Sequence, residues 1–179
     1  MTTHLHLAPS LTETDPNPSV PSPVRVVLAD DHALMRRSLR LLLDGEEGVH
    51  VVAEAEDMAG AVRHVYDDKP QVLVLDLRMQ GASSIETIGK LRARAPDTQV
   101  VVLTMEDNPV FAQHALASGA LGFVLKDRAD SELQEAVLAA ARGEEYISPP
   151  VAARLRARRQ PSAQDKLASP ELAACSVHE

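Results

Sequence analysis

Residues 72–76 read Val-Leu-Val-Leu-Asp. Four apolar residues in succession leave no polar face, so a strand here is covered on both sides, as in the middle of a parallel sheet. A carboxylate, Asp76, follows at once. The same device recurs on either side. Residues 24–29 (VRVVLA) run into Asp30-Asp31, residues 100–103 (VVVL) into Thr104, and residues 121–125 (LGFVL) into Lys126. A further run, 49–55 (VHVVAEA), alternates apolar and polar residues and suits a sheet edge.

Between these runs lie longer stretches with helical spacing: 33–43, 59–67, 84–94, 109–118 and 131–142. Asp44-Gly45, Pro70, Pro96, Gly119 and Gly143 punctuate them as turn formers, breakers or helix caps. Five strand–helix repeats with short connections predict an α/β fold, a doubly wound parallel sheet of five strands with five flanking helices. The strand order 2-1-3-4-5 is one common solution for such a sheet. Ser148-Pro149-Pro150 reads as a helix start, and a short sixth helix is expected over 151–159.

Composition agrees with one domain. The chain has 179 residues, 45% of them apolar, and only four aromatics, so Leu, Val, Ala and Ile must fill the core. The net charge of −8 argues against non-specific nucleic-acid binding by the whole chain. One cysteine, Cys175, excludes an internal disulfide framework and a cysteine-built zinc site. Nothing resembles a membrane helix or a secretory signal, and a soluble cytoplasmic protein is expected. Residues 1–23 hold five of the twelve prolines and read as a disordered leader. The domain is expected over 24–145, a linker helix over 146–160 and a flexible tail over 161–179. His4 and His6 fall in the leader and find no further ligands there.

In an open parallel sheet, ligands bind at the carboxyl ends of the strands. Those ends carry Asp30, Asp31, Asp76, Thr104 and Lys126. Alone, each is more often a helix cap, a turn former or a solvated charge. Together they make a constellation with a chemistry. Three converging carboxylates repel one another unless a cation neutralises them, and an all-oxygen set suits Mg²⁺. A lysine and a threonine hydroxyl beyond them suit the oxygens of a phosphoryl group. The central carboxylate, Asp76, then has the place of a nucleophile that becomes an aspartyl-phosphate.

Leu28-Ala29-Asp30-Asp31-His32, Val74-Leu75-Asp76-Leu77-Arg78-Met79, Leu103-Thr104-Met105 and Gly122-Phe123-Val124-Leu125-Lys126-Asp127 together resemble a response-regulator receiver domain, a flavodoxin-like fold. The spacings of 45, 28 and 22 residues between Asp31, Asp76, Thr104 and Lys126 match that family too. The Asp-Asp-His opening, the Asp after Lys126, and Tyr146-Ile147-Ser148-Pro149 resemble its NarL/FixJ (LuxR-type) branch. The resemblance covers about residues 24–155.

By position, the resemblance implies that Asp76 accepts a phosphoryl group from a sensor histidine kinase or a small phosphodonor. It implies Mg²⁺ held by Asp30, Asp31, Asp76 and the backbone carbonyl of Arg78. Lys126 would contact the phosphoryl group. Thr104 would move toward it and let Phe123 turn inward, changing the surface of the fourth helix and fifth strand. Arg78 and Glu106 occupy the two variable positions that tune phosphate lifetime. The chain would be no enzyme beyond its own phosphoryl transfer and autodephosphorylation, and it would dimerise on phosphorylation.

Three departures accompany the resemblance. Gln80 stands where the family usually has Pro, and Ser84 where Gly usually begins the third helix, so the loop after Asp76 is expected to be altered. The branch normally continues into a helix-turn-helix domain regulating transcription. Only about twenty residues follow the sixth helix here, so no DNA binding is expected from this chain alone. Arg154, Arg156, Arg158 and Arg159 read as a solvated basic helix.

The rival readings are weaker. A phosphohydrolase usually needs a second Asp two residues after the nucleophile, and Arg78 stands there. A dinucleotide-binding domain needs a glycine-rich turn after the first strand, and none is present. A degenerate receiver, working as a phosphate-independent interaction module, fits Gln80 and Ser84 but not the five intact site residues.

Overall fold

Consecutive apolar residues can all be buried only where a sheet is covered twice, and that is where the chain places them. In a computed structural model that describes residues 22–45, 47–79 and 84–159, all five residues of β3 (Val72–Asp76) are buried. The elements run β1 (Val24–Ala29), α1 (Ala33–Asp44), β2 (Val49–Ala55), α2 (Met58–Asp68), β3, α3 (Ser84–Arg94), β4 (Gln99–Thr104), α4 (Pro109–Ala117), β5 (Gly122–Leu125), α5 (Ala129–Ala141), β6 (Tyr146–Ile147) and α6 (Pro149–Arg159). The strands form one sheet in the order β2-β1-β3-β4-β5-β6, every pair parallel.

Alternate residues of the central strands supply two separate cores. Val27, Leu73, Val102 and Phe123 face one side, with Met58 and Val65 of α2, Ile88 and Leu91 of α3, Ala115 of α4 and Val151 of α6. Val26, Val74, Leu103 and Val124 face the other, with Leu39 and Leu43 of α1 and Leu133 and Val137 of α5. Each fully buried Leu, Val or Ile contributes roughly 1.5–3 kcal/mol by leaving water. This is how a chain with four aromatics fills its core.

The expected architecture holds, with one strand more than the five expected. Tyr146–Ile147 pairs with Gly122–Phe123 and closes the edge of β5. Tyr146 N donates to Leu121 O at 2.8 Å, and Ser148 N to Phe123 O at 2.8 Å. Two apolar residues are too short a run to read as a strand from sequence. Their pairing satisfies a strand edge that would otherwise be open.

Helix α5 begins at Ala129, not at Ser131, and follows a single 3₁₀ turn over Lys126–Arg128. The Ser131 hydroxyl donates back to Arg128 O at 3.2 Å inside the helix. Gly119 (φ +103°) and Gly143 (φ +78°) do stop α4 and α5 in the left-handed region, as their places in the sequence predict. At Gly119 a Cβ would lie 2.6 Å from Arg92 Cγ, so a side chain there is excluded twice over.

Residues 1–21 of the expected leader, the tail with Cys175, and Gln80-Gly81 lie outside the described residues. Among the described residues no helix is long and apolar enough to cross a membrane.

Candidate functional site

Strand register brings the expected residues to one edge. Asp76 is the last residue of β3 and pairs with Leu103, one before Thr104. Thr104 in turn pairs with Leu125, one before Lys126. On the other side β1, next to β3, ends immediately before Asp30-Asp31.

Lys126 is the centre of this arrangement. Its Nζ donates to Asp76 Oδ2 at 2.7 Å and lies 2.6 Å from Asp30 Oδ2. The side chains of Lys126, Asp30 and Asp76 are 6%, 2% and 3% exposed. Burial works against the ammonium's charge, but the contacts with Asp30 and Asp76 outweigh it and hold its pKa above the ordinary lysine value. One cation thus faces two carboxylates, with a third, Asp31, beside them.

The other oxygens are ordered by backbone. Asp30 Oδ1 accepts from His32 N at 2.8 Å, and Asp76 Oδ1 from Arg78 N at 3.1 Å. Arg36 braces the turn that presents Asp30: its guanidinium donates to Asp30 O at 2.6 Å and to Glu54 Oε2 on β2 at 3.2 Å.

Two shielded oxygens remain without a hydrogen-bond donor, Asp30 Oδ2 and Asp31 Oδ1. Lys126 and His32 approach them closely, but off the hydrogen-bonding direction. Three carboxylates with one ammonium among them carry surplus negative charge, and shielded oxygens without an aligned donor suit a further cation. Ligand atoms of Asp30, Asp31, His32 and Asp76 all lie within 4.8 Å of one another. The carboxylate oxygens fit a hard divalent ion.

His32 occupies the N-cap position of α1, yet its side chain caps nothing there. The ring Nδ1 instead lies 2.7 Å from Asp31 Oδ1. Sequence order could suggest that nearness, but not the direction of an exposed ring.

Thr104 is fully buried, and its Oγ1 accepts from Glu106 N at 3.1 Å. Glu106 accepts from the Arg78 guanidinium at 3.0 Å, so the two variable positions form an ion pair across the rim of the site. Glu106 also accepts from Asn108 N at 3.3 Å. Phe123 is fully buried in the core beside Val102 and Leu125. Ser84, at the start of α3, is buried and donates to Leu77 O at 2.9 Å. It therefore ties one end of the segment after Asp76 back to the residue next to the phosphoacceptor candidate.

A family model described as the response regulator receiver domain matches residues 26–138. The oxygen regulatory protein NreC of Staphylococcus epidermidis is 38% identical over 125 residues, covering 69% of this chain and 57% of that protein. The chain therefore spans a little over half the length of this curated relative. Among solved structures, the signal receiver domain of a NarL response regulator from Mycobacterium tuberculosis is 37% identical with a TM-score of 0.66, covering 69% of this chain and all of that one. The isolated receiver domain of RcsB from Salmonella enterica serovar Typhimurium, solved with the phosphomimetic BeF3⁻, is 31% identical with a TM-score of 0.68, covering 75% of this chain and 99% of that one.

Proposed function

The chain belongs to the response-regulator receiver family, and from that premise we propose that Asp76 is its phosphoacceptor, loaded in the presence of Mg²⁺ by a sensor histidine kinase or a small phosphodonor. The observation that carries this reading is the Asp76 carboxylate held between the Lys126 ammonium and the donor-poor pair Asp30 and Asp31. Receivers are switches in two-component signalling rather than metabolic enzymes.

The chemistry follows from the residues. An Asp76 carboxylate oxygen attacks the phosphorus of a phosphohistidine. The P–N bond breaks, the imidazole leaves with the electron pair and takes up a proton, and an acyl phosphate remains on Asp76. Lys126 turns from the carboxylates to the transferred oxygens, and the Thr104 hydroxyl donates to another. Asp30, Asp31, Asp76 and the carbonyl of Arg78 would hold Mg²⁺, which when bound supplies charge to balance the phosphoryl oxygens. In autodephosphorylation, water attacks the same phosphorus, the P–O bond to Asp76 breaks, and inorganic phosphate leaves. The Arg78–Glu106 ion pair stands at the rim of the site, where these two residues influence phosphate lifetime.

Loading changes the packing at Thr104 and Phe123, and through them the surface of α4 and β5. Phosphorylation-dependent pairing with a second copy is the expected output of that surface.

Intact-protein mass spectrometry after incubation with acetyl phosphate and Mg²⁺ tests the reading. One phosphoryl adduct is expected on the wild type and none on Asp76→Asn or in chelator. An unmodified wild type that also fails to bind beryllofluoride overturns it, in favour of a phosphate-independent interaction module.

A further inference from the structure

Helix α6 is attached to the domain at two places of opposite character. Its first attachment is at the entry, Ser148, which is fully buried. The Ser148 hydroxyl accepts from Leu125 N at 3.1 Å and donates to the buried carboxylate of Glu132 on α5. Its backbone N–H donates to Phe123 O. Val151, one turn on, is fully buried against the α2–α4 side of the sheet, with Ile147 and Leu155 packed beside it. This end of α6 is bolted to β5, at the residue immediately before Lys126.

The second attachment is Arg154. Its guanidinium pairs with the Asp107 carboxylate and also donates to Asp107 O at 3.1 Å. Both side chains are about half exposed. Asp107 lies in the segment between Thr104 and α4, beside Glu106, whose N–H is held by the Thr104 hydroxyl.

We propose that Arg154 and Asp107 form a latch through which α6 reads the state of the phosphoacceptor, with Ser148 as the fixed hinge. The inference rests on the phospho-switch reading of Asp76. When the Thr104 hydroxyl leaves the Glu106 N–H and turns to a phosphoryl oxygen, residues 106 and 107 keep only their ion pairs with Arg78 and Arg154 beyond the segment itself, while Asn108 stays tied to α4 as its cap on Val110 N. The segment then shifts, the latch opens, and α6 swings about Ser148 while its buried entry stays in place. A buried hinge and an exposed latch suit this division. Orphaning buried partners is costly, whereas an exposed ion pair is cheap to break. The chain that follows Arg159 is thereby coupled to the switch.

Linkage makes the latch testable from the other side. If the latch favours the unloaded state, removing it must tighten binding of a phosphoryl mimic. For the full chain, Arg154→Ala is expected to raise the apparent affinity for beryllofluoride with Mg²⁺ by about two- to fivefold, the range that an exposed ion pair converts to. Asp107→Asn, which keeps the carbonyl contact, gives a smaller gain in the same direction. Arg156→Ala, two residues along on another side of the helix, changes nothing. Hydrogen exchange over 151–158 should rise in the wild type on adding beryllofluoride, and should already be raised in Arg154→Ala without it. A wild type that binds beryllofluoride, with α6 exchange and Arg154→Ala affinity both unchanged, overturns the latch and leaves the phosphoacceptor reading intact. A wild type that binds none overturns both.

Discussion

At the carboxyl edge of the sheet, Asp30 Oδ2 and Asp31 Oδ1 are shielded from water and accept no aligned hydrogen bond, the Lys126 ammonium lying close to the first of them, whereas at the β5–β6 seam the buried Ser148 hydroxyl and the Glu132 oxygen it meets are paired with each other. The Ser148 hydroxyl both donates and accepts. One Glu132 oxygen takes the serine proton, and the other faces Arg128 at 3.5 Å. Both clusters hold polar atoms that the fold has removed from water, although the Asp31 side chain as a whole stays partly exposed. Their difference is one of completeness. A matched cluster contributes specificity and rigidity, while an incomplete one is stabilised by whatever completes it. The seam is a joint, and the edge is a binding site.

The largest test of this contrast removes Lys126. Lys126→Ala leaves Asp30 and Asp76 facing each other with no buried counter-charge, an imbalance of the kind that costs about 3–5 kcal/mol. A thermal melt in chelator should show that loss. Mg²⁺ should then restore more stability to the variant than it adds to the wild type, because binding to the folded state alone stabilises it by mass action. Equal increments in the two proteins would mean that ammonium and cation do not share the same carboxylates.

A smaller effect is expected at the seam. Ser148→Ala orphans the Leu125 N–H and the Glu132 carboxylate together, and should cost about 1–3 kcal/mol, a fall of several degrees in Tm. Here Mg²⁺ should recover none of the loss beyond what it adds to the wild type. Selective rescue of Ser148→Ala by Mg²⁺ would erase the distinction between joint and site.

The two clusters were also unequally visible in the sequence. Asp30, Asp31, Asp76, Thr104 and Lys126 each follow an apolar run directly, so the topology that the runs imply already brings them to one edge. The seam has no such signature. Glu132 reads as one acid among several on α5, and its partner is 16 residues away, just after a two-residue strand too short to recognise. Ser148 looks like a helix-capping serine, yet its hydroxyl is engaged by Leu125 and Glu132. The same applies to Arg154 and Asp107, 47 residues apart, and to Arg78 and Glu106, 28 apart. Strand ends are fixed by local pattern, whereas pairings between loops and helix faces are fixed only by the packed arrangement.

The smallest effect reads the charge at the seam directly. Burial raises the pKa of the Tyr146 phenol above 10.0, and the nearby Glu132 and Glu135 carboxylates raise it further, against the opposing pull of Arg128. Tyr66 is the other tyrosine and tryptophan is absent, so a Tyr66→Phe protein reports Tyr146 alone in phenolate absorbance. Its midpoint should lie above 10.0 in the folded protein. Because the fold holds the phenolic proton more tightly than the unfolded chain does, stability is unaffected below that value and declines as pH rises through the folded midpoint. Adding Glu132→Gln removes one negative neighbour but leaves an oxygen to accept from Ser148. The midpoint should therefore move down toward 10.0 without reaching it, since burial and Glu135 remain. An unmoved midpoint would mean that Glu132 presents no negative charge to Tyr146, and the seam would then be a neutral joint rather than a charged and matched one.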